Sequence, residues 1–169
     1  MTVFRTNAIV RPALLRHVLG VAVLAALVLF ASSPGSARTS LEKMNDLDVL
    51  ELINDSKGKV MVINFFASWC GPCRLEIPEL IEIREDFSGD AVTVVGIAVD
   101  DTEPALRRFS RDMGFNYPVY MGETSVSRLF NIEGVPMVLV YSPQGKLIDT
   151  QVGYRPGHVR EIVEENLPQ

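Results

Sequence analysis

The sequence predicts an α/β sandwich built on a mixed sheet, and three observations predict it. Two nearly continuous apolar runs, Val60 to Phe66 and Ala91 to Val99, are rich in β-branched residues and read as strands buried on both faces. Helical patterns of apolar residues alternate with them. The C-terminal part holds two further strand-like runs, Met137 to Tyr141 and Lys146 to Val152, joined by the hairpin turn Ser142-Pro143-Gln144-Gly145. The order β-α-β-α, then a hairpin, then a helix gives a layered α/β domain.

Taken in order, Asp46 to Ser56 carries Leu47, Leu50 and Ile53 at helical spacing, and Lys57-Gly58-Lys59 ends it. The strand Val60 to Phe66 follows, then a helix over about 71–87. After Ala91 to Val99, Thr102 to Met113 is an amphipathic helix with Ala105, Leu106 and Phe109 facing inward. Tyr117 to Tyr120 is a short extended piece and Thr124 to Phe130 a short helix. His158 to Leu167 closes the chain, with Val159, Ile162 and Val163 on one face.

The beginning of the chain has a different character. Val18 to Ala31 is an unbroken run of 14 apolar or small residues, preceded by Arg11, Arg16 and His17 and followed by Ser32-Ser33-Pro34-Gly35-Ser36-Ala37. A positive region, an apolar region and a small-residue site form the layout of a secretory signal peptide, with cleavage expected after Ala37. The alternative is an uncleaved membrane anchor over residues 14–31, although a full span needs about 20 apolar residues. In both cases the arginines stay inside and Arg38 onward lies outside the cytoplasm. The expected organisation is a signal peptide or anchor over residues 1–37, a linker over 38–45 and one domain over 46–169.

Charge narrows the partners. The chain carries a net −5, and its first 37 residues hold three arginines and no acid, so the domain itself is more acidic still. An acidic domain with no basic stripe argues against nucleic-acid binding.

The chain has two cysteines, Cys70 and Cys73, three residues apart. Cys-x-x-Cys after a buried strand and at the opening of a helix is a redox arrangement. Helix N–H groups and the dipole favour a thiolate there, so the Cys70 thiol is expected below its free pKa, and the thiolate is the nucleophile in disulfide exchange. Cys73, one helical turn on, is within reach to resolve the mixed disulfide. Gly71 allows close approach of another chain, and Pro72 sits in the first turn, where its missing N–H costs nothing. Half of a zinc site is the weaker alternative, because four ligands are needed and only His158 and His17 could add to the pair. A one-cysteine peroxidase site and a non-catalytic disulfide in a binding module are the others. No metal or organic cofactor is expected beyond the redox-active disulfide.

FFASWCGPC resembles the thioredoxin active site, and several features resemble the extracytoplasmic TlpA/ResA branch of that superfamily. Pro78, five residues after Cys73, resembles the proline of the family's active-site helix, and Gly134-Val135-Pro136 resembles its cis-proline loop. Asn64 stands where cytoplasmic thioredoxins carry a buried Asp. Glu76 resembles the branch's Glu three residues after the second cysteine. The resemblance covers about Val60 to Leu167, but Leu41 to Ser56 reads as helix where the branch usually begins with a β-hairpin.

The resemblance implies a thioredoxin-like fold and a thiol:disulfide oxidoreductase, with Cys70 attacking, Cys73 resolving and Glu76 tuning proton transfer. It places Trp69, Gly71, Pro72, Val135 and Pro136 against the substrate, with Trp69 an apolar guard beside Cys70. It implies reduction of disulfide-bonded client proteins, including apocytochromes c or their handling proteins during haem attachment, and a monomer is expected. The donor it implies is a membrane thiol conduit. A disulfide oxidase or isomerase, or a non-catalytic client-binding module, are the alternatives. Arg74, Glu79 and His158 are expected on the surface, and Phe109, Phe115, Tyr117 and Phe130 in the core.

Overall fold

The computed structural model describes residues 41–168, so the apolar segment of residues 1–37 and residues 38–40 of the expected linker lie outside the described residues. No described helix is long and apolar enough to cross a membrane.

Among the described residues the elements run β1 (Lys43–Met44), α1 (Asp46–Asp55), β2 (Val60–Phe66), α2 (Cys73–Asp86), β3 (Val92–Ala98), α3 (Glu103–Met113), β4 (Val119–Gly122), α4 (Thr124–Leu129), β5 (Met137–Tyr141), β6 (Leu147–Val152) and α5 (His158–Glu165). The six strands form one sheet in the order β1-β4-β3-β2-β5-β6. β2 pairs parallel with β3 and antiparallel with β5, and β5 pairs antiparallel with β6. The sheet is therefore mixed, as expected. It begins earlier than expected: β1 lies in the stretch assigned to the linker and pairs parallel with β4. Two residues are too few to show a period, so their pairing is decided by the β4 edge they meet.

β2 explains the layering. All seven of its residues are buried. Val60, Val62 and Phe66 join the core formed with α2, α3 and α5, while Met61, Ile63 and Phe65 join the core that includes Met44, Val49 of α1 and Val126 of α4. A strand covered on both faces has no use for polar residues, which makes Asn64, fully buried on the α2 face, conspicuous.

Helix α1 begins at a capping box. Asn45 Oδ1 accepts from the Leu47 and Asp48 amides at 2.8 and 3.2 Å, and Asp48 Oδ2 accepts from the Asn45 amide at 2.8 Å. Its buried face is not the one that spacing suggested. Leu47 and Leu50 are 69% and 45% exposed, and Val49 is the buried residue, with Leu52 and Ile53 packed beside it. Both triplets have helical spacing, and only the position of the cap relative to the sheet selects between them. In α3, Leu106 and Phe109 are buried and Ala105 only partly so.

Gly96 of β3 stands directly opposite Asn64 of β2. A Cβ there would lie 3.1 Å from Phe66 Cε1 and 3.3 Å from Tyr117 Cε2. These rings belong to a packed aromatic group: Phe66 meets Phe109 and Phe115 at centroid distances of 5.7 and 5.5 Å, and Phe115 meets the edge of Tyr117 at 5.2 Å. Gly96→Ala is accordingly expected to overpack this group and lower stability by about 1–3 kcal/mol. Urea unfolding checks this, and an unchanged midpoint would mean that the rings give way freely.

Candidate active site

β2 ends at Phe66, and the chain turns through Ala67 to Pro72 before α2 begins at Cys73. Cys70 and Cys73 form a disulfide with an S–S distance of 2.07 Å. Cys73 is fully buried and Cys70 is 3% exposed, so Cys70 is the sulfur nearer to solvent. The backbone N–H of Cys73 points at Cys70 Sγ, 3.2 Å away. This unspent helix donor is the group that would stabilise a Cys70 thiolate once the disulfide opens. Gly71 and Pro72 are exposed, and a Cβ at Gly71 would meet nothing within 4 Å.

The turn is held from the β3–α3 loop. Asp101 accepts from the Ser68 amide at 2.6 Å and from the Ser68 hydroxyl at 2.8 Å, and Trp69 Nε1 donates to the Asp100 carbonyl at 2.9 Å. Trp69 is 64% exposed, so it stands at the surface, tied to the loop by its indole nitrogen, and does not pack in the core. Asp100 itself sits at φ 51°, in the left-handed region. The contributions of Asp100 and Asp101 carry no signal in the local sequence, because they arise from two loops brought together by the parallel pairing of β2 and β3.

The Val135–Pro136 bond is cis, and the Val135 carbonyl oxygen lies 3.6 Å from Cys70 Sγ. Gly153 N–H donates to the Pro136 carbonyl at 2.9 Å and ties the loop to the end of β6. The structure thus brings Cys70, Cys73, Trp69, Gly71, Pro72 and Val135 to one end of the sheet. Pro136 is in the same loop and buried.

Glu76 is one turn after Cys73 on α2 and is only 2% exposed. Its carboxylate accepts from Asn64 Nδ2 at 2.6 Å and from Gln151 Nε2 at 2.7 Å. Sheet register explains the pair of donors. Asn64 pairs with Val138, and Val138 pairs with Gln151, so the two amides flank Val138 in one row across β2, β5 and β6. Burial pushes the Glu76 carboxyl from 4.5 up to about 7, against the two amide hydrogen bonds that favour its charged form and with the nearby charge of Glu79 adding to the rise. A carboxyl that titrates near neutral pH can take a proton from a thiol and give it up again.

Gln151 is the residue that sequence reasoning missed. The sequence reads Lys146 to Val152 only as a strand, with no inward face assigned, and in it Gln151 is fully buried while its neighbour Val152 is 69% exposed. Glu79 is a second correction: it is half-buried, not solvated, and accepts from the Tyr154 hydroxyl at 2.5 Å and the Gly157 amide at 3.0 Å. Arg74 is exposed, with its guanidinium over the Phe109 ring at 4.6 Å. His158 Nε2 faces Asp149 Oδ2 at 3.1 Å. Tyr117 is buried as expected, but its hydroxyl has no protein partner.

A carboxyl whose pKa is raised on folding binds more protons in the folded than in the unfolded state between the two pKa values. Stability then falls as pH rises through that window, from about 4.5 to about 7. Between about pH 5 and about pH 8, the wild-type protein is expected to lose roughly 3 kcal/mol relative to Glu76→Gln, as an upper value. Guanidinium unfolding of the two oxidised proteins across this range checks it. Parallel curves would contradict a titrating Glu76.

Comparison with known proteins agrees with this geometry. Thiol-disulfide oxidoreductase ResA of Bacillus subtilis is 28% identical over 102 residues, covering 60% of this chain and 57% of that protein. Thioredoxin-like protein YneN of the same organism is 26% identical over 104 residues, covering 60% of this chain and 61% of its own. The chain thus spans about three fifths of the length of these curated relatives. Among solved structures, a thiol:disulfide interchange protein of the thioredoxin family from Chlorobium tepidum is 33% identical, with a TM-score of 0.62 over 67% of this chain and 83% of that one. A Corynebacterium glutamicum protein described as a thiol-disulfide isomerase, 21% identical with a TM-score of 0.63 over 69% of this chain and 86% of its own, shares the fold. Residues 41–150 match the AhpC/TSA family. With its thioredoxin-like fold and its likeness to proteins named ResA, the chain belongs to the AhpC/TSA family.

Proposed function

We propose that this protein is a thiol–disulfide oxidoreductase that reduces protein disulfides outside the cytoplasm. The observation that carries the reading is the Cys70–Cys73 disulfide at the head of α2, with the Cys73 amide aimed at Cys70 Sγ and the buried Glu76 one turn below. The two cysteines supply the electrons, the helix start stabilises the thiolate, and the carboxyl handles the proton.

In the reduced protein, the Cys70 thiolate attacks one sulfur of a client disulfide. An S–S bond forms between Cys70 and that sulfur, and the other client sulfur leaves as a thiolate. Cys73 then gives its thiol proton to the Glu76 carboxylate and attacks Cys70 Sγ. The Cys70–Cys73 bond forms and the second client thiolate leaves. Client disulfide and enzyme dithiol have become client dithiol and enzyme disulfide, with two electrons transferred. Glu76–H returns that proton to one of the departing thiolates, and the other takes up from water the proton that Cys70 had lost on ionising.

Val135 and Pro136, with Trp69, Gly71 and Pro72, frame the surface at which the client lies. Client proteins bearing disulfides, apocytochromes c among them, are the proposed substrates, and a membrane thiol conduit is the proposed donor. The arginine-flanked apolar run before Ser32 and the likeness to the TlpA/ResA branch support the placement outside the cytoplasm. The acting unit is a monomer.

Two measurements test this. Cys70→Ser is expected to abolish disulfide reduction. Cys73→Ser is expected to retain the first attack and accumulate a mixed disulfide with the client, visible on non-reducing gels. Full activity of Cys70→Ser would make the protein a non-catalytic binding module. The reduction potential of the pair is expected near that of thioredoxin, about −270 mV. A value near about −120 mV, that of strong oxidants, would sink the reductase reading and assign disulfide formation.

A further inference from the structure

We propose that Gln151 is a positioning residue for the redox exchange: its carboxamide turns with the protonation state of Glu76, offering N–H to the carboxylate and C=O to the acid. The proposal rests on the reading of Glu76 as the proton-handling group.

A carboxylate only accepts, so both of its amide neighbours must present N–H, and they do, at 2.6 and 2.7 Å. A protonated Glu76 carries an O–H that needs an acceptor. With both amides presenting N–H, a proton on either carboxyl oxygen would face a donor. Such a clash at a buried site opposes protonation unless one amide turns over. The oxygens that a turned amide would present are already there. Asn64 Oδ1 and Gln151 Oε1 are both buried without a protein partner, so turning either breaks no hydrogen bond on its oxygen side.

The two amides differ in freedom. Asn64 is on the central strand, between Gly96 and Val138, on a short side chain. Gln151 is on the edge strand β6 and has one more rotatable bond. It is the buried residue of a strand whose other members are all at least partly exposed. A fully buried polar side chain on such a strand, with one end spent on Glu76 and the other unspent, is what a two-state partner requires. Turning Gln151 lets it accept from Glu76–H while Asn64 continues to donate to the other oxygen.

The remaining groups near Glu76 do not supply this acceptor. Glu79, one turn further along α2, is engaged by Tyr154 and Gly157, and its charge favours the acid. Tyr154 is pushed up to about 12 by its hydrogen bond to Glu79 and stays protonated. Tyr117 has a buried hydroxyl that makes no hydrogen bond to Glu76 or to any other protein group. Cys73, one turn before Glu76, is the thiol whose proton is to be moved.

Gln151→Met keeps the length of the side chain and removes both ends of the amide. The protonation of Glu76 is read from its carboxyl stretch in pH-difference infrared spectra of the oxidised protein, assigned with Glu76→Gln. The midpoint in Gln151→Met is expected to rise by about one pH unit, because a hydrogen bond to the ionised carboxylate is stronger than one from the neutral acid, so the charged form loses more when the amide is removed. The pH profile of the exchange rate is expected to move with it, and Gln151→Met is expected to have no effect on that profile in a Glu76→Gln background. In the wild-type protein, the Gln151 side-chain amide resonances in 15N spectra are expected to shift with the Glu76 midpoint, a readout that requires no variant to fold. A Glu76 that titrates with an unchanged midpoint in Gln151→Met, with only thermal stability lowered, overturns this proposal alone. So do Gln151 resonances that stay fixed while Glu76 titrates. A wild-type Glu76 that holds one state from about pH 5 to about pH 9 overturns the Glu76 reading and this proposal together.

Discussion

Val60–Phe66 runs between a parallel neighbour on one side and an antiparallel neighbour on the other, and none of its side chains reaches water. The position of the disulfide site follows from that strand. Its parallel partner β3 carries the loop that holds Ser68 and Trp69. Its antiparallel partner β5 begins immediately after Pro136, so the Val135 carbonyl arrives beside Cys70. The end of β2 leads directly into the turn that presents the disulfide. Because the strand is locked on both edges and both faces, the turn is built on a rigid base, as a reacting pair of sulfurs requires.

The same burial creates the chemistry. A helix packed over an apolar strand would ordinarily place apolar residues at the contact. Here it places a carboxyl, and desolvation lifts that carboxyl to about 7. The two amides in one row of the sheet keep the ionised form affordable, since an unpaired buried charge would cost far more. Neither effect alone would give a group poised near neutrality. Burial without amides would keep Glu76 protonated, and amides without burial would keep it ionised. The site balances the two within one turn of Cys73, the thiol whose proton the proposed exchange moves.

The surface around the disulfide is open, as the proposed exchange with a client chain requires. Trp69 lies exposed with its indole nitrogen fixed to the Asp100 carbonyl, so a large apolar face is offered at little conformational cost. Gly71 adds no side chain above the sulfurs, and the cis-proline loop borders them on the other side.

Much of this was legible from residue order. Long β-branched runs identify buried strands because a strand covered on both faces tolerates little else, and β2 and β3 lie within one residue of where they were read. The Cys-x-x-Cys spacing after such a strand identifies the reacting pair for a similarly local reason: one helical turn sets their separation. Glu76 lies on the next turn, but its assignment comes from the resemblance to the TlpA/ResA branch, since spacing alone fits a solvated residue equally well. What the order of residues left open depends on contacts between distant segments. The choice between Leu47 and Val49 as the inward residue of α1 rests on where the sheet lies relative to the cap, and spacing is equally good for both. The pairing of Lys43–Met44 depends on the β4 edge. Gln151 reaches Glu76, 75 residues away in the chain, because β5–β6 register sets it in the row of Asn64 and Val138. Alternation along a half-exposed edge strand cannot choose its inward phase, since polar and apolar residues are mixed on both sides. Residue order alone therefore determined the fold class and the reacting cysteine pair, and the resemblance added the carboxyl beside it. Only tertiary structure decided which amides hold that carboxyl and at what proton affinity, because desolvation and hydrogen bonding are properties of the assembled sheet.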